Sequence, residues 1–354
     1  MRGFLRKITD ESLPAIRRIR DRFKFLKKKE TEVPSLETFV NSLAPVIQYR
    51  RAYFEIRGKT SPGVAVPAAR AWPEANSGLS YRGKLIGQLP LETGRGAEIG
   101  PLNLPLLSKS DCGVLFVDHL DTKGLQQKYS TLTNIAEIDR PMVNDSLEQT
   151  LRMDAPLDYV VASQVMEHVP NPIRWMNEIA AILRVGGLLS ISLPDRRMTF
   201  DLYREETSAS DMIAAYLQDL TVPDARAVYD HQSLASAVNM HWAIPDSVYP
   251  NEVTNSKGSV GAKFVEPNPI EVAKRAHAGV YLDTHCWVFT PPSFLLTMAQ
   301  IAKEGLLKFR CKQFYPTDEA AMDRDNHSFV TILEKVDEGV SRDEIRKSFL
   351  EALA

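Results

Sequence analysis

Leu157-Asp158-Tyr159-Val160-Val161-Ala162-Ser163-Gln164-Val165-Met166-Glu167-His168-Val169-Pro170-Asn171-Pro172 leads through an amphipathic stretch into Leu183-Arg184-Val185-Gly186-Gly187 and on to Leu188–Asp195. Leu157–Ala162 is a short apolar run of the kind that forms a buried strand. Pro172 stands where a helix begins, since a missing N–H costs little in the first turn. Trp175, Ile179, Ile182 and Leu183 then recur at i, i+4, i+7 and i+8, one face of an α-helix. The pair Gly186–Gly187 predicts its C-terminal cap, because such a cap needs a residue free to take positive φ. Leu188–Leu193 reads as a second strand, closed by Pro194. Strand, turn, helix and strand in this order predict a βαβ unit and hence a parallel sheet.

Working outward, the same rhythm continues on both sides. Upstream, Ala97–Ile99 is a short strand ending at Gly100, and Val114–Val117 is another ending at Asp118. Downstream, a helix over 291–304 precedes strands at Lys308–Phe314 and Ser328–Leu333, which complete the sheet. Residues 196–285 break the rhythm and read as an insertion. Residues 57–90, rich in Gly, Pro and Ala without a period, read as a linker or an irregular wrap. Residues 10–29 show an imperfect apolar stripe among basic residues. The expected organisation is a basic helical extension and linker over 1–90, then a catalytic domain over 91–354 with an inserted cap at about 196–285.

Two features at strand ends suggest a nucleotide-like ligand. Glu98-Ile99-Gly100-Pro101-Leu102 places a glycine where the backbone must turn tightly and let a ligand approach, beside a carboxylate able to accept from a cofactor ammonium group. Twenty residues on, Asp118 ends the next strand, where an acid can hold both hydroxyls of a ribose. Each is weak alone; their order and spacing within a βαβ context give them weight.

The run 157–195 resembles the class I S-adenosylmethionine-dependent methyltransferases. It is most similar to the subgroup whose fourth strand enters a Glu-His-Val-Pro-x-Pro turn, followed by a helix, an Arg-x-Gly-Gly turn and a strand ending in Pro-Asp. The likeness is looser over 97–145. The resemblance implies a Rossmann-like α/β fold: a mostly parallel seven-stranded sheet with helices on both faces. It implies S-adenosyl-L-methionine as cofactor, with Glu98, Gly100 and Pro101 in the motif that contacts its methionine part and Asp118 on the ribose. Asp145 matches the acid that reads the adenine amino group, with Asn144 or Asp139 as alternatives in a different register. Ser163 and Gln164 match the strand end that faces the sulfonium. The family usually carries further glycines after the first; here Leu102 and Asn103 stand nearby instead, so the loop is expected to take its own path.

Glu167-His168 admits three readings: a base, a metal ligand, or a cap for the loop over the cofactor. In some RNA 2′-O-methyltransferases that resemble this subgroup a Glu-x-x-Glu-His set holds a metal ion. Gln164 replaces the first carboxylate here, so no metal is expected. Tyr281-Leu282-Asp283-Thr284-His285-Cys286-Trp287 gathers polar groups beside aromatics where the insertion rejoins the fold. Asp283 could orient His285 as a base for a substrate hydroxyl, with His168 as the other candidate; a buried, hydrogen-bonded histidine at a packing junction is the alternative. Arg196 and Arg197 could grip a phosphate or carboxylate, and His231, His241 and Trp242 are further candidates for the acceptor pocket.

The 354 residues are 44% hydrophobic and 25% charged, ordinary for a globular chain. The net charge of −2 at pH 7 does not advertise nucleic-acid binding by the chain as a whole. Residues 1–30 nevertheless hold eleven Lys/Arg against four Asp/Glu, an arm suited to phosphates or to peripheral contact with an acidic membrane surface. Three scattered cysteines with no CxxC pair indicate neither a disulfide framework nor a structural zinc site, and fit a reducing cytoplasm. No apolar run approaches the roughly 20 residues that span a bilayer. The expected activity is methyl transfer to a small-molecule or saccharide acceptor, at oxygen. An RNA methyltransferase docked by the basic arm, or a non-catalytic binding protein of the same fold, are the alternatives.

Overall fold

The computed structural model describes residues 79–110, 113–142, 146–237, 261–263, 268–317 and 327–353, which fall within the compact unit Ala71–Ala354. The basic arm, Asn144, Asp145, His241 and Trp242 lie outside the described residues.

Seven strands form one sheet: β1 (Arg95–Ile99), β2 (Gly113–Asp118), β3 (Arg140–Pro141), β4 (Leu157–Ser163), β5 (Leu183–Pro194), β8 (Phe309–Tyr315) and β9 (Ser328–Lys335). Their order is β3-β2-β1-β4-β5-β9-β8. Strands β1 to β5 pair in parallel. Strand β9 runs antiparallel to both β5 and β8, so it alone is reversed. This is the expected Rossmann-like, mostly parallel seven-stranded sheet. A further two-stranded ribbon, β6 (Ser236–Ala237) with β7 (Gly261–Lys263), belongs to the insertion. The strand order reverses at β1, whose neighbours are β2 and β4. In open α/β sheets ligands gather beyond the carboxyl ends of the strands at that crossover.

Nine α-helices occur among the described residues: α1 (Tyr81–Ile86), α2 (Thr122–Lys128), α3 (Leu147–Leu151), α4 (Pro172–Ile182), α5 (Ala209–Leu217), α6 (Ala225–Leu234), α7 (Pro269–His277), α8 (Pro291–Lys303) and α9 (Arg342–Leu353). Alternation along the strands divides the core between two faces. Val160, Ala162, Leu189 and Ile191 pack with Ile179 of α4, Met212 of α5, Met298 of α8 and Phe349 of α9. Tyr159, Val161 and Leu188 face the other way, against Leu85 and Ile86 of α1. The stretch expected as a linker thus contributes, over 79–90, a helix that covers the sheet. Ser190 Oγ, fully buried in β5, donates to the Leu85 carbonyl at 2.7 Å and fixes that helix in place.

One expected boundary is corrected. Helix α4 stops at Ile182, and Leu183 is already extended and paired with Leu157. The glycines do not cap it. Gly186, at φ +75°, instead lets residues 184–187 bulge out before pairing resumes at Tyr159 with Leu188. Asn171 caps the start of α4, its side chain accepting from Arg174 N at 3.1 Å.

Candidate active site

The loop after β1 is shaped by two residues. Gly100 sits at φ +70°, and a Cβ there would lie 2.9 Å from Val165 Cγ2. The loops leaving β1 and β4 therefore touch at a point where only glycine fits. Glu98, 3% exposed, accepts from Leu106 N at 2.8 Å through Oε1 and from Leu107 N at 2.9 Å through Oε2. Burial pushes its carboxyl group up, opposed by those two N–H groups and by Arg82. Glu98 thus folds the loop back on itself, doing for the chain what further glycines usually do. Pro101 is buried at the turn, and Leu102 takes φ +43°.

Asp118, 6% exposed, ends β2. Its Oδ1 accepts from His119 N at 2.7 Å and lies 2.5 Å from His119 Nδ1, while Lys128 Nζ holds the far ring nitrogen at 3.0 Å. Oδ2 has no protein partner among the described residues. A carboxylate held on one side and open on the other suits a ribose diol. Asp139 is spent internally, bridging Phe116 N and Lys109 Nζ, each at 2.8 Å.

At the end of β4 a polar network replaces the apolar core. Tyr81 Oη lies 2.7 Å from Ser163 Oγ and 2.6 Å from Ser192 Oγ. Gln164, at φ +57°, donates through Nε2 to Ser192 Oγ at 3.2 Å and Ser328 Oγ at 2.9 Å. Burial pushes the Tyr81 hydroxyl up, so it stays a neutral donor. Tyr81, Ser192 and Ser328 were missed by sequence reasoning. Only the alternation of serines with Leu and Ile in β5 hinted at a polar sheet face.

The loop 164–168 continues into a cluster of imidazoles. The backbone carbonyl of Glu167 accepts from Cys286 N at 2.6 Å, and Trp287 Nε1 donates to the Val169 carbonyl at 2.6 Å. These bonds lay the 283–287 segment along the loop and bring His168 to His285, ring centroids 4.7 Å apart and edge to face. The expected pairing of Asp283 with His285 is corrected. Asp283 Oδ1 meets His168 Nδ1 at 2.9 Å, and His285 Nδ1 meets Asp201 Oδ2 at 2.6 Å. Each reaches across to another element instead. Asp201 is itself gripped by Arg204 Nη1 at 2.7 Å, both side chains being buried. Burial works to raise Asp201, but the His285 hydrogen bond and Arg204 hold it below the usual carboxylate range. Burial works to lower His168, but Asp283 and Glu167 raise it overall.

Glu167, at 1% exposure, has neither carboxylate oxygen hydrogen-bonded. Burial pushes its carboxyl group up, against the pull of His285 and His168. Phe200 stacks on His285 at 4.6 Å and meets His231 edge-on at 5.4 Å. Burial and Arg204 push His231 down to about 4. His231 therefore borders this cluster as a neutral ring.

Arg196 and Arg197 do not present an anion grip. Arg197 forks onto the fully buried Asp195 (Nε–Oδ1 3.0 Å, Nη2–Oδ2 2.6 Å). Arg196 Nη1 donates to the carbonyls of Leu202 and Arg204, at 2.7 and 2.6 Å. Both build the floor of the insertion.

Residues 96–246 match a family described as "Methyltransferase domain". That match, together with the strand order above, supports a methyltransferase with a Rossmann-like sheet. No curated protein matches it. Solved structures with some likeness include the CurJ carbon methyltransferase, at 11% identity over 70% of this chain and 50% of that one, TM-score 0.33. An S-adenosylmethionine-dependent methyltransferase from Methanosarcina mazei shares 15% identity over 70% of this chain and 94% of that one, TM-score 0.33. A phosphoethanolamine N-methyltransferase from Haemonchus contortus, solved with S-adenosylhomocysteine, shares 15% over 76% and 46%, TM-score 0.34. No helix among the described residues is long and apolar enough to cross a membrane.

Proposed function

We propose that this chain transfers the methyl group of S-adenosylmethionine to a hydroxyl of a small-molecule or saccharide acceptor, and that the acceptor oxygen is activated in the cluster of His168, His285 and Asp283. The observation that carries this reading is the joining of two half-sites by one loop. Ser163 and Gln164 end β4 beside Gly100, and His168 follows four residues later, facing His285.

The bound cofactor supplies an electrophilic methyl group on a sulfonium. Gly100 admits it by close backbone approach, Asp118 holds the ribose, and Ser163 and Gln164 line the strand end. Alignment of the nucleophile and exclusion of water are the protein's main tasks. An oxygen nucleophile also has to lose its proton as it attacks. The carboxylates on Nδ1 of each imidazole fix the orientation of both rings. With the cofactor bound, the hydroxyl oxygen would take the methyl carbon as its bond to sulfur broke onto sulfur, and the cluster of His168, His285 and Asp283 would pass the hydroxyl proton to water. Residues 196–285 supply Asp201, Arg204, Phe200 and His231 around it, so the insertion carries the acceptor side.

His285→Asn tests this. Turnover on a hydroxyl acceptor should fall by roughly 10²- to 10⁴-fold, with S-adenosylhomocysteine affinity unchanged within about twofold. Near-normal turnover would reduce His285 and its partners to a packing element.

A further inference from the structure

We propose that Glu167, His168 and His285 bind one divalent first-row transition-metal ion. This deepens the functional reading and rests on it only for what the ion does, not for its binding. One ligand atom from each of the three residues lies within 4.8 Å of the other two. Two imidazoles and one carboxylate are the donor set that leaves open positions on such an ion, whereas an all-oxygen set favours magnesium or calcium. Sequence reasoning excluded a metal because position 164 is Gln; the third ligand comes instead from His285, brought in by the Cys286 and Trp287 hydrogen bonds.

Three independent features point to a cation. First, both oxygens of Glu167 are buried with no hydrogen-bond partner. An ionised carboxylate stripped of water and left unpaired costs several kcal/mol. Two neighbouring imidazoles are close, yet neither donates to it. Second, each histidine has its Nδ1 held by a carboxylate, Asp283 on His168 and Asp201 on His285. Carboxylates behind metal-bound imidazoles fix the tautomer, leaving Nε2 unprotonated to bind, and raise its basicity. Third, the three carboxylates of Glu167, Asp283 and Asp201 stand against two fixed cations among the described residues, Arg204 on Asp201 and Lys128 toward Asp283. Glu167 and Asp201 are buried and Asp283 stands at the exposed edge, and the remaining negative charge is what a divalent ion offsets. Bond lengths near 2.1 Å require the three ligand atoms to draw in from separations of up to 4.8 Å. Placed here, the ion polarises an acceptor hydroxyl that reaches its open position.

The test uses the full untagged chain. Metal content by plasma mass spectrometry should give about one zinc, manganese, cobalt or iron per chain. After chelation and dialysis, titration with Co²⁺ should saturate at one equivalent, with visible d–d absorption and a higher Tm. Glu167→Gln and His285→Asn should lose the absorption while still binding S-adenosylhomocysteine, which shows that they fold. Asp283→Asn should weaken Co²⁺ binding by roughly 10- to 100-fold without abolishing it. A chelated protein that takes up no Co²⁺, or variants that bind it as the parent does, overturns the site. Loss of turnover in His285→Asn with no metal bound at any stage would leave the functional reading standing and this inference refuted. An ion bound by the parent and lost in His285→Asn, with the turnover of that variant normal, would do the reverse.

Discussion

Replacing Gly100 by alanine probes the contact on which the cofactor loop depends. The residue sits at φ +70°, and the added Cβ would stand 2.9 Å from Val165 Cγ2. The left-handed conformation costs a residue with a Cβ about 1–2 kcal/mol. The steric conflict adds about 1–3 kcal/mol, typical of overpacking. Gly100→Ala should therefore lose about 2–5 kcal/mol in urea unfolding. The two contributions are separable. Val165→Ala alone removes two methyl groups from a half-buried site and should cost about 1 kcal/mol. In the double variant the clash is gone and the φ strain remains, so the pair should couple by about 1–3 kcal/mol. Calorimetry with S-adenosylhomocysteine should show Gly100→Ala weakened by more than tenfold, and the double variant partly restored. A Gly100→Ala protein as stable as the parent, or a coupling near zero, would refute the assignment of this glycine to a close loop–loop approach.

Two further outcomes are expected. Asp118→Ala should lose about 1.5–3 kcal/mol of cofactor affinity, the value of a charge-assisted hydrogen bond, or roughly 10- to 150-fold in Kd; an unchanged Kd for a folded variant would remove Asp118 from the ribose site. Burial pushes the thiols of Cys311 and Cys286 up to about 11 and about 12, so at pH 8 only about one Cys311 in a thousand is thiolate. Iodoacetamide should label neither in the native protein at pH 8 and both in urea, read by site-resolved mass spectrometry, with the Cys311 rate rising about tenfold per pH unit up to about 11. Rapid native labelling at pH 8 would show that the segment around 286 opens.

The strands were legible because a sheet buried on both faces demands largely apolar runs; Tyr159–Ala162 is one, and Leu188–Leu193 is broken only by Ser190 and Ser192. Strand β3 was not, since Arg140–Pro141 is two residues long and pairs only at the sheet edge. Helix α1 escaped because six residues carry no measurable period, and its role shows only in where Leu85, Ile86 and Tyr81 land. The individual histidines and acids were visible, but their partnership was not. Asp283 and His285 are neighbours in sequence and point to different partners, 115 and 84 residues away. Asp201 carries no local signal at all; its role exists only because the insertion folds back over β5.

That partnership has a consequence for how the site can vary. His168 stands on the loop from β4, whereas His285 rides on a segment tied to that loop by Cys286 N on the Glu167 carbonyl and by the side chains of Trp287 and Asp283. The bridge of Asp195 with Phe289 ties the same segment to the end of β5. None of these ties comes from α5, α6 or α7, so those helices can change in sequence without moving His285 relative to His168. Only Asp201 and Arg204 constrain the insertion's beginning, because the Nδ1 of His285 needs a buried, charge-balanced acceptor. On the proposed function, the helices of the insertion would recognise the acceptor's shape while the histidine pair activates it. Changing the insertion outside Phe200–Arg204 should alter KM for the acceptor far more than kcat.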